Sequence, residues 1–134
     1  MIVGFTGTRH GMSEAQVDQL ARMLYCFYSI DGPGQYQANK FHYGMHDSVP
    51  LLADSRAARQ AASMGFETVP HPSTRGTELD RNRKIVAACD VLIAAPLTDR
   101  EEQRSGTWAT IRYARSAGKP VVMLSRGKEL ADPD

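Results

Sequence analysis

Three stretches of this chain carry side chains suited to holding an anion. Gly7-Thr8-Arg9-His10-Gly11 follows the apolar run Met1 to Thr6. Its two glycines let the backbone turn tightly and come close to a ligand, and Thr8 and Arg9 add a hydroxyl and a bidentate donor. It does not read GxGxxG, so no dinucleotide fingerprint is present. Arg104-Ser105-Gly106-Thr107 opens a helical pattern, and a helix start offers unpaired N–H groups and a partial positive charge. Arg81-Asn82-Arg83-Lys84 puts three cations in four residues at another helix start, where they oppose the helix dipole. The four histidines (His10, His42, His46, His71) fall at or after the ends of apolar runs. No HExxH and no paired-cysteine spacing accompanies them, so no metal site is expected.

These stretches must be held by regular elements, and the pattern supplies them. Strand signals fall at Met1–Thr6, Lys40–Tyr43, Phe66–Val69, Asp90–Ala95 and Val121–Leu124. Helix signals fall between them. Ser13 with Gln16 three residues on is a capping-box signature, followed by Val17, Leu20, Ala21, Leu24, Phe27 and Tyr28 on one face. Asp31-Gly32-Pro33-Gly34 breaks that helix. Further helices are expected over Ala53–Met64, Asp80–Ala88 and Thr107–Ala117. Strands alternating with helices predict a parallel sheet with right-handed crossovers. The expected fold is one α/β, Rossmann-like three-layer sandwich over residues 1–126, five strands in the order 3-2-1-4-5, with a flexible tail at 127–134. Such a sheet binds ligands beyond the carboxyl ends of its strands, where the order reverses. That places Gly7–Met12 and Pro96–Gly106 at the site, with Gly44–Leu52 and His71–Leu79 beside them.

Composition narrows the classes. The 134 residues suit one domain, and 16 basic against 15 acidic side chains give a net charge of +1. A near-neutral chain argues against a large nucleic-acid footprint. The basic set is 12 Arg and 4 Lys, a bias toward the residue that grips phosphate bidentately. The longest apolar run, Met23 to Tyr28, is six residues, far short of a bilayer span. No secretory signal pattern opens the chain. Cys26 and Cys89, both in apolar settings, read as buried free thiols of a reducing, cytoplasmic compartment.

The motifs together resemble a known group. Gly7-Thr8-Arg9-His10-Gly11-Met12, Asp80-Arg81-Asn82-Arg83-Lys84-Ile85-Val86, Asp90-Val91-Leu92-Ile93-Ala94-Ala95-Pro96, Arg104-Ser105-Gly106-Thr107-Trp108-Ala109-Thr110-Ile111 and Gly118-Lys119-Pro120-Val121 look like the small Rossmann-like proteins of the SLOG superfamily. That superfamily groups nucleotide sensors, the LONELY GUY phosphoribohydrolases and the DNA-processing protein fold. The resemblance implies a nucleotide as ligand, no required cofactor, and a homodimer as in many relatives. More distantly the same stretch is similar to nucleoside deoxyribosyltransferases.

Two positions depart from the pattern. LONELY GUY enzymes carry GGxGTxxE; here Gln103 and Arg104 stand at the leading glycines and Thr110 at the glutamate. Threonine cannot serve as a carboxylate base or nucleophile. After the second strand, relatives have a Gly-rich turn before Ala-Asp, whereas residues 45–53 here hold no glycine before Asp54.

The expectation is therefore a sensor or carrier for a nucleoside phosphate or an ADP-ribose-like molecule. Its ligand-binding residues are Gly7, Thr8, Arg9, His10, Gly44, Arg81, Asn82, Arg83, Pro96, Arg104, Ser105, Gly106 and Thr107. The alternative is an N-glycosidic hydrolase or transferase. It requires Asp47, Asp54, Asp80 or Glu102 to replace the missing carboxylate. A nucleic-acid module is the third reading, with the charge balance against it.

Overall fold

The computed structural model describes residues 1–29, 39–46, 49–50 and 52–127. The helix break at Asp31–Gly34, the candidate acid Asp47 and residues 128–134 of the expected tail lie outside the described residues. In chain order the elements are β1 (Ile2–Gly7), α1 (Glu14–Phe27), β2 (Lys40–His46), β3 (Val49–Pro50), α2 (Leu52–Ser63), β4 (Glu67–Ser73), α3 (Glu78–Ala88), β5 (Val91–Ala95), α4 (Gly106–Ser116) and β6 (Val121–Met123).

Five parallel strands lie side by side as β4-β2-β1-β5-β6, the expected order 3-2-1-4-5. The short β3 is an addition to that expectation. It pairs antiparallel with the end of β2, Met45 opposite Pro50 and His46 opposite Val49. There is room for it because β1 follows β2 only from Ile2↔Lys40 to Gly4↔His42, while β4 follows β2 along its whole other edge. The third strand also runs further than its sequence suggests, through Pro70 and Pro72 to Ser73. The two prolines are two residues apart, so their nitrogens face the same edge, the one turned away from β2.

β5 is buried along its whole length and sits between the helix layers. Its Val91, Ile93 and Ala95 join Val3 and Phe5 of β1, Leu20 and Leu24 of α1, and the alanines of α2 in one core cluster. Its Leu92 and Ala94 face α3 and α4, against Ile85, Val86, Ala114, Trp108 and Ile111. Helix α2 presents Ala53, Ala57, Ala58 and Ala61 to the sheet, side chains short enough to let it lie close. Trp108 is packed at 5% exposure. One expectation is corrected: Cys26 is exposed and only Cys89 is buried. Cys26 lies two residues past Leu24, about 200° around the helix from the Leu20–Leu24 stripe. Tyr28, placed on the apolar face by the sequence pattern, is 40% exposed and caps the helix end instead.

The loops at the carboxyl ends of β1 and β5 are fixed by Gln16, which is fully buried. Its Oε1 accepts the Ser13 N–H at 3.0 Å, completing the capping box of α1. Its Nε2 donates to the Pro96 carbonyl at 2.9 Å and the Leu124 carbonyl at 3.1 Å. Arg126 then crosses the same junction, donating through Nη1 to the Gly11 carbonyl at 2.9 Å and to Gln16 Oε1 at 3.3 Å. The Ser13 hydroxyl donates to the Arg126 carbonyl, and the Arg126 N–H donates to Asp99. The β1–α1 loop, the β5–α4 loop and the segment after β6 are thus one hydrogen-bonded unit. Gln16→Leu keeps the volume and deletes the amide, leaving buried backbone groups unpaired. We expect a loss of about 2–4 kcal/mol of unfolding free energy, read by urea denaturation.

Candidate functional site

The carboxyl ends of β1 and β5 open into a cleft of about 670 Å3. Thr6, Gly7, Thr8, Arg9 and His10 line one side, and Glu102 to Thr107 with Leu97 line the opposite side. Asp54 from the first turn of α2, and Glu78, Leu79, Arg81 and Asn82 from α3, complete it.

The first loop is a tight turn. The Thr8 N–H continues the β1–β5 ladder to the Ala95 carbonyl, the Gly11 N–H returns to the Thr8 carbonyl at 3.2 Å, and Thr8 Oγ1 accepts the His10 N–H. Gly11 takes φ +90°, where a side chain would strain the backbone. Arg9 and His10 are left exposed on the cleft.

On the other side, Ser105 caps α4 by accepting the Trp108 N–H at 3.2 Å. Helix geometry leaves the Gly106 and Thr107 N–H groups without intrahelical partners. A side chain at Gly106 would meet nothing within 4 Å, so this helix start faces open space. Thr107 is buried in the cleft wall, and Arg104 is exposed on its rim. Thr110, which stands where the LONELY GUY pattern has its glutamate, is turned into the protein. Its hydroxyl donates to the Gly106 carbonyl at 3.0 Å and accepts Asn82 Nδ2 at 2.9 Å.

The deep end of the cleft is built where β1 and β2 part. A Cβ on Gly7 would lie 2.7 Å from the Ala53 Cβ, so Gly7 and Ala53 together let the start of α2 approach the sheet. This brings in Asp54, whose Oδ2 accepts the Gly44 N–H at 3.0 Å. Arg81 covers the other face of Gly44, where a Cβ would meet its guanidinium at 2.7 Å. Only 8% exposed, Arg81 donates through Nη1 to the Met45 carbonyl and Ser73 Oγ, and through Nε to Asn82 Oδ1.

Asp54 is 4% exposed, and its Oδ1 has no hydrogen-bond partner among the described residues. Burial pushes its carboxyl up to about 7, against the pull of the Gly44 N–H and the Arg81 charge. Few carboxyls sit so close to neutrality, and those that do concentrate at sites that move protons or read ligands.

Of the thirteen residues named from sequence, Gly7, Thr8, Arg9, His10, Arg81, Asn82, Arg104, Ser105, Gly106 and Thr107 line this cleft. Three stand elsewhere. Gly44 lines a smaller groove beside α2 and serves the cleft through Asp54. Pro96 is buried behind the wall, its carbonyl taken by Gln16. Arg83 is on the outer side of α3, paired with Asp80 at 4.0 Å and lying 5.3 Å over the Tyr113 ring. Among the candidate acids, Asp80 shares that exposed position, Glu102 is on the rim accepting from Thr98, and Asp54 alone is buried in the cleft. Thr6, Glu78, Leu79 and Leu97 line the site and were not singled out from sequence.

His42 and His71 stand together on the α3 side of β2 and β4, Nδ1 to Nε2 at 2.7 Å. Burial holds both below the usual imidazole range, helped for His42 by Lys40 and for His71 by His42, Arg81 and Lys84. Among the described residues no three metal-binding side chains gather, and no helix is long and apolar enough to cross a membrane.

No protein-family model and no curated protein matches the chain. A solved structure does. The X-ray structure of DNA processing protein A (DprA) from Streptococcus pneumoniae is similar over 90% of this chain, with a TM-score of 0.64 and 15% sequence identity. The match takes in 49% of that protein, so this chain spans about half its length. The likeness establishes a Rossmann-like α/β fold for this chain.

The raised Asp54 carboxyl makes stability depend on pH with a definite sign. Unfolded, it releases its proton near 3.8; folded, near 7. Between those values the folded chain holds the extra proton. The associated stability is fully present below 3.8 and is lost as the pH rises through about 7. A difference of about 3 units corresponds to roughly 4 kcal/mol across that window. Asp54→Asn removes this dependence. Its melting temperature should gain on wild type from pH 4 to about pH 7 and level off above it, and a constant difference from pH 4 to pH 8 would show Asp54 titrating normally.

Proposed function

We propose that the chain is a nucleotide-binding domain whose cleft holds a nucleoside phosphate or an ADP-ribose-like ligand at the carboxyl ends of β1 and β5. One observation carries this reading. Two glycine-bearing backbone turns, Gly7–Gly11 and Arg104–Thr107, converge on one cleft where the strand order reverses. A helix start with unpaired N–H groups favours an anion. Arg9 and Arg104 supply exposed charge beside it, and Thr107 supplies a hydroxyl. The volume suits a small organic ligand, within the range of roughly 300–1,000 Å3 usual for such sites.

A second reading has a specific observation behind it. Asp54 is a carboxyl buried in the cleft and poised near neutrality, the property general acid–base catalysis needs. It fits cleavage of an N-glycosidic bond with Asp54 in place of the family glutamate. Free base released from a nucleotide, and abolished in Asp54→Asn, would establish that activity. The neighbour's name, DNA processing protein A, points toward nucleic acid, and the net charge of +1 argues against an extended phosphate footprint.

The binding reading is tested by thermal shift against mono-, di- and cyclic nucleotides, NAD and ADP-ribose. A ligand at about 100 times its Kd adds roughly 2.7 kcal/mol. Arg9→Ala should weaken binding about tenfold. Gly106→Asp, which adds an acid where the anion would lie, should abolish it without unfolding the chain. Arg83→Ala, over Tyr113 and off the cleft, should change affinity less than about twofold. Unchanged binding in the first two variants, or no shift with any compound, rejects the reading.

A further inference from the structure

Asp54 gives the cleft a second chemistry, distinct from its anion end. The side chain is 4% exposed and lines the cleft. One carboxyl oxygen is taken by the Gly44 N–H, and the other has no partner among the described residues. Buried polar atoms are nearly always paired, so an unpaired oxygen on a side chain that lines the cleft is an acceptor that a ligand atom can satisfy. The chemistry of that atom follows from the acceptor. A carboxylate only accepts hydrogen bonds, so the ligand must bring an O–H or N–H. A phosphoryl group there would set like charges together with little solvent between them. The cation nearest Asp54 is Arg81, and it is already committed to Met45, Ser73 and Asn82. The exposed cations, Arg9 and Arg104, belong to the loops at the anion end.

Resting on the nucleotide reading above, we propose that the ligand is a phosphomonoester whose sugar or base donates a neutral hydrogen bond to Asp54 Oδ1. The site is matched to one phosphate and one uncharged donor, not to a polyphosphate chain lying along the cleft. Such a donor also relieves the buried carboxylate, whose nearby N–H groups are those of Gly44 and of its own backbone. Asp54→Asn is a sharp probe. The Gly44 N–H can pair only with the asparagine oxygen, so the amide NH2 takes the orphan position and turns an acceptor into a donor without changing shape.

The experiment is calorimetric titration of the full chain at pH 8 with three probes. These are n-propyl phosphate, which has the anion and no donor, ribose 5-phosphate, and adenosine 5′-monophosphate. We expect a donor-bearing probe to bind at least about tenfold tighter than propyl phosphate, and Asp54→Asn to erase that gap. A gap already present with ribose 5-phosphate names a sugar hydroxyl; one that appears only with the nucleotide names the base. In wild type the gap should shrink as the pH falls from 8 to 6 and Asp54 takes up a proton. The wild-type pH dependence of the gap is read without the variant, so this reading survives even if the variant fails to fold. A gap that persists in Asp54→Asn, is absent in wild type, or ignores pH overturns the proposal and leaves phosphate binding standing. Failure of all three probes to bind overturns the phosphomonoester proposal, and the nucleotide reading falls with it only if the wider nucleotide panel also gives no thermal shift.

Discussion

A single buried amide, that of Gln16, sets the geometry on which the cleft depends. Parallel strands end without turning back on one another, so the loops that leave them have no partner supplied by the sheet. Here those loops are joined through one side chain. Gln16 caps its own helix through Ser13 and reaches across to the Pro96 and Leu124 carbonyls. A hydrocarbon in its place could fill the volume but could not fix the spacing of three separate backbones. Burying a polar side chain is favourable only when all its hydrogen bonds are made. That condition makes the junction rigid as well as stable.

The second constraint is the parting of β1 from β2. A parallel pair that separates leaves backbone N–H groups facing a gap, and this chain fills the gap with charge. Asp54 takes the Gly44 N–H from one side while Arg81 covers Gly44 from the other. The two meet around a glycine because nothing larger would leave room for the guanidinium. Arg81 is as much a structural residue as a charged one, holding the ends of β2 and β4 together through Met45 and Ser73. The carboxyl opposite gains partial compensation, which is why it keeps a pKa near neutrality where a fully isolated buried acid would be held protonated.

The fold was legible because its signals are local. The apolar runs, the Ser13–Gln16 cap and the glycines after the first two strands identify strands and helices, and their alternation implies a parallel sheet. β3 was not legible: two residues carry no periodicity, and its place depends on where β1 and β2 separate. The two cleft loops were legible because glycine, serine and threonine at a strand end or helix start have local meaning. Asp54 was one acid among four, since burial comes from how closely α2 approaches Gly7, a contact between residues far apart in the chain. Arg81 read as part of a cationic run with Arg83. The spacing held the distinction: Arg81 lies four residues before Ile85 and eight before Cys89, on the stripe that packs inward, while Arg83 lies off it.

The fastening of Leu124–Gly127 onto the two cleft loops bears on how the protein is made. A chain leaving the ribosome completes β1, β2, β4, β5 and both helix layers before these four residues emerge. Until then Gln16 lacks its Leu124 partner, and Gly11 and Ser13 lack Arg126. Most of the sheet is therefore available before the junction that joins the two cleft loops, which is completed only with the last described segment. A nascent chain stalled short of Arg126 would carry most of the architecture and an unfinished cleft, so the sheet and the cleft are completed at separate moments in the life of each molecule.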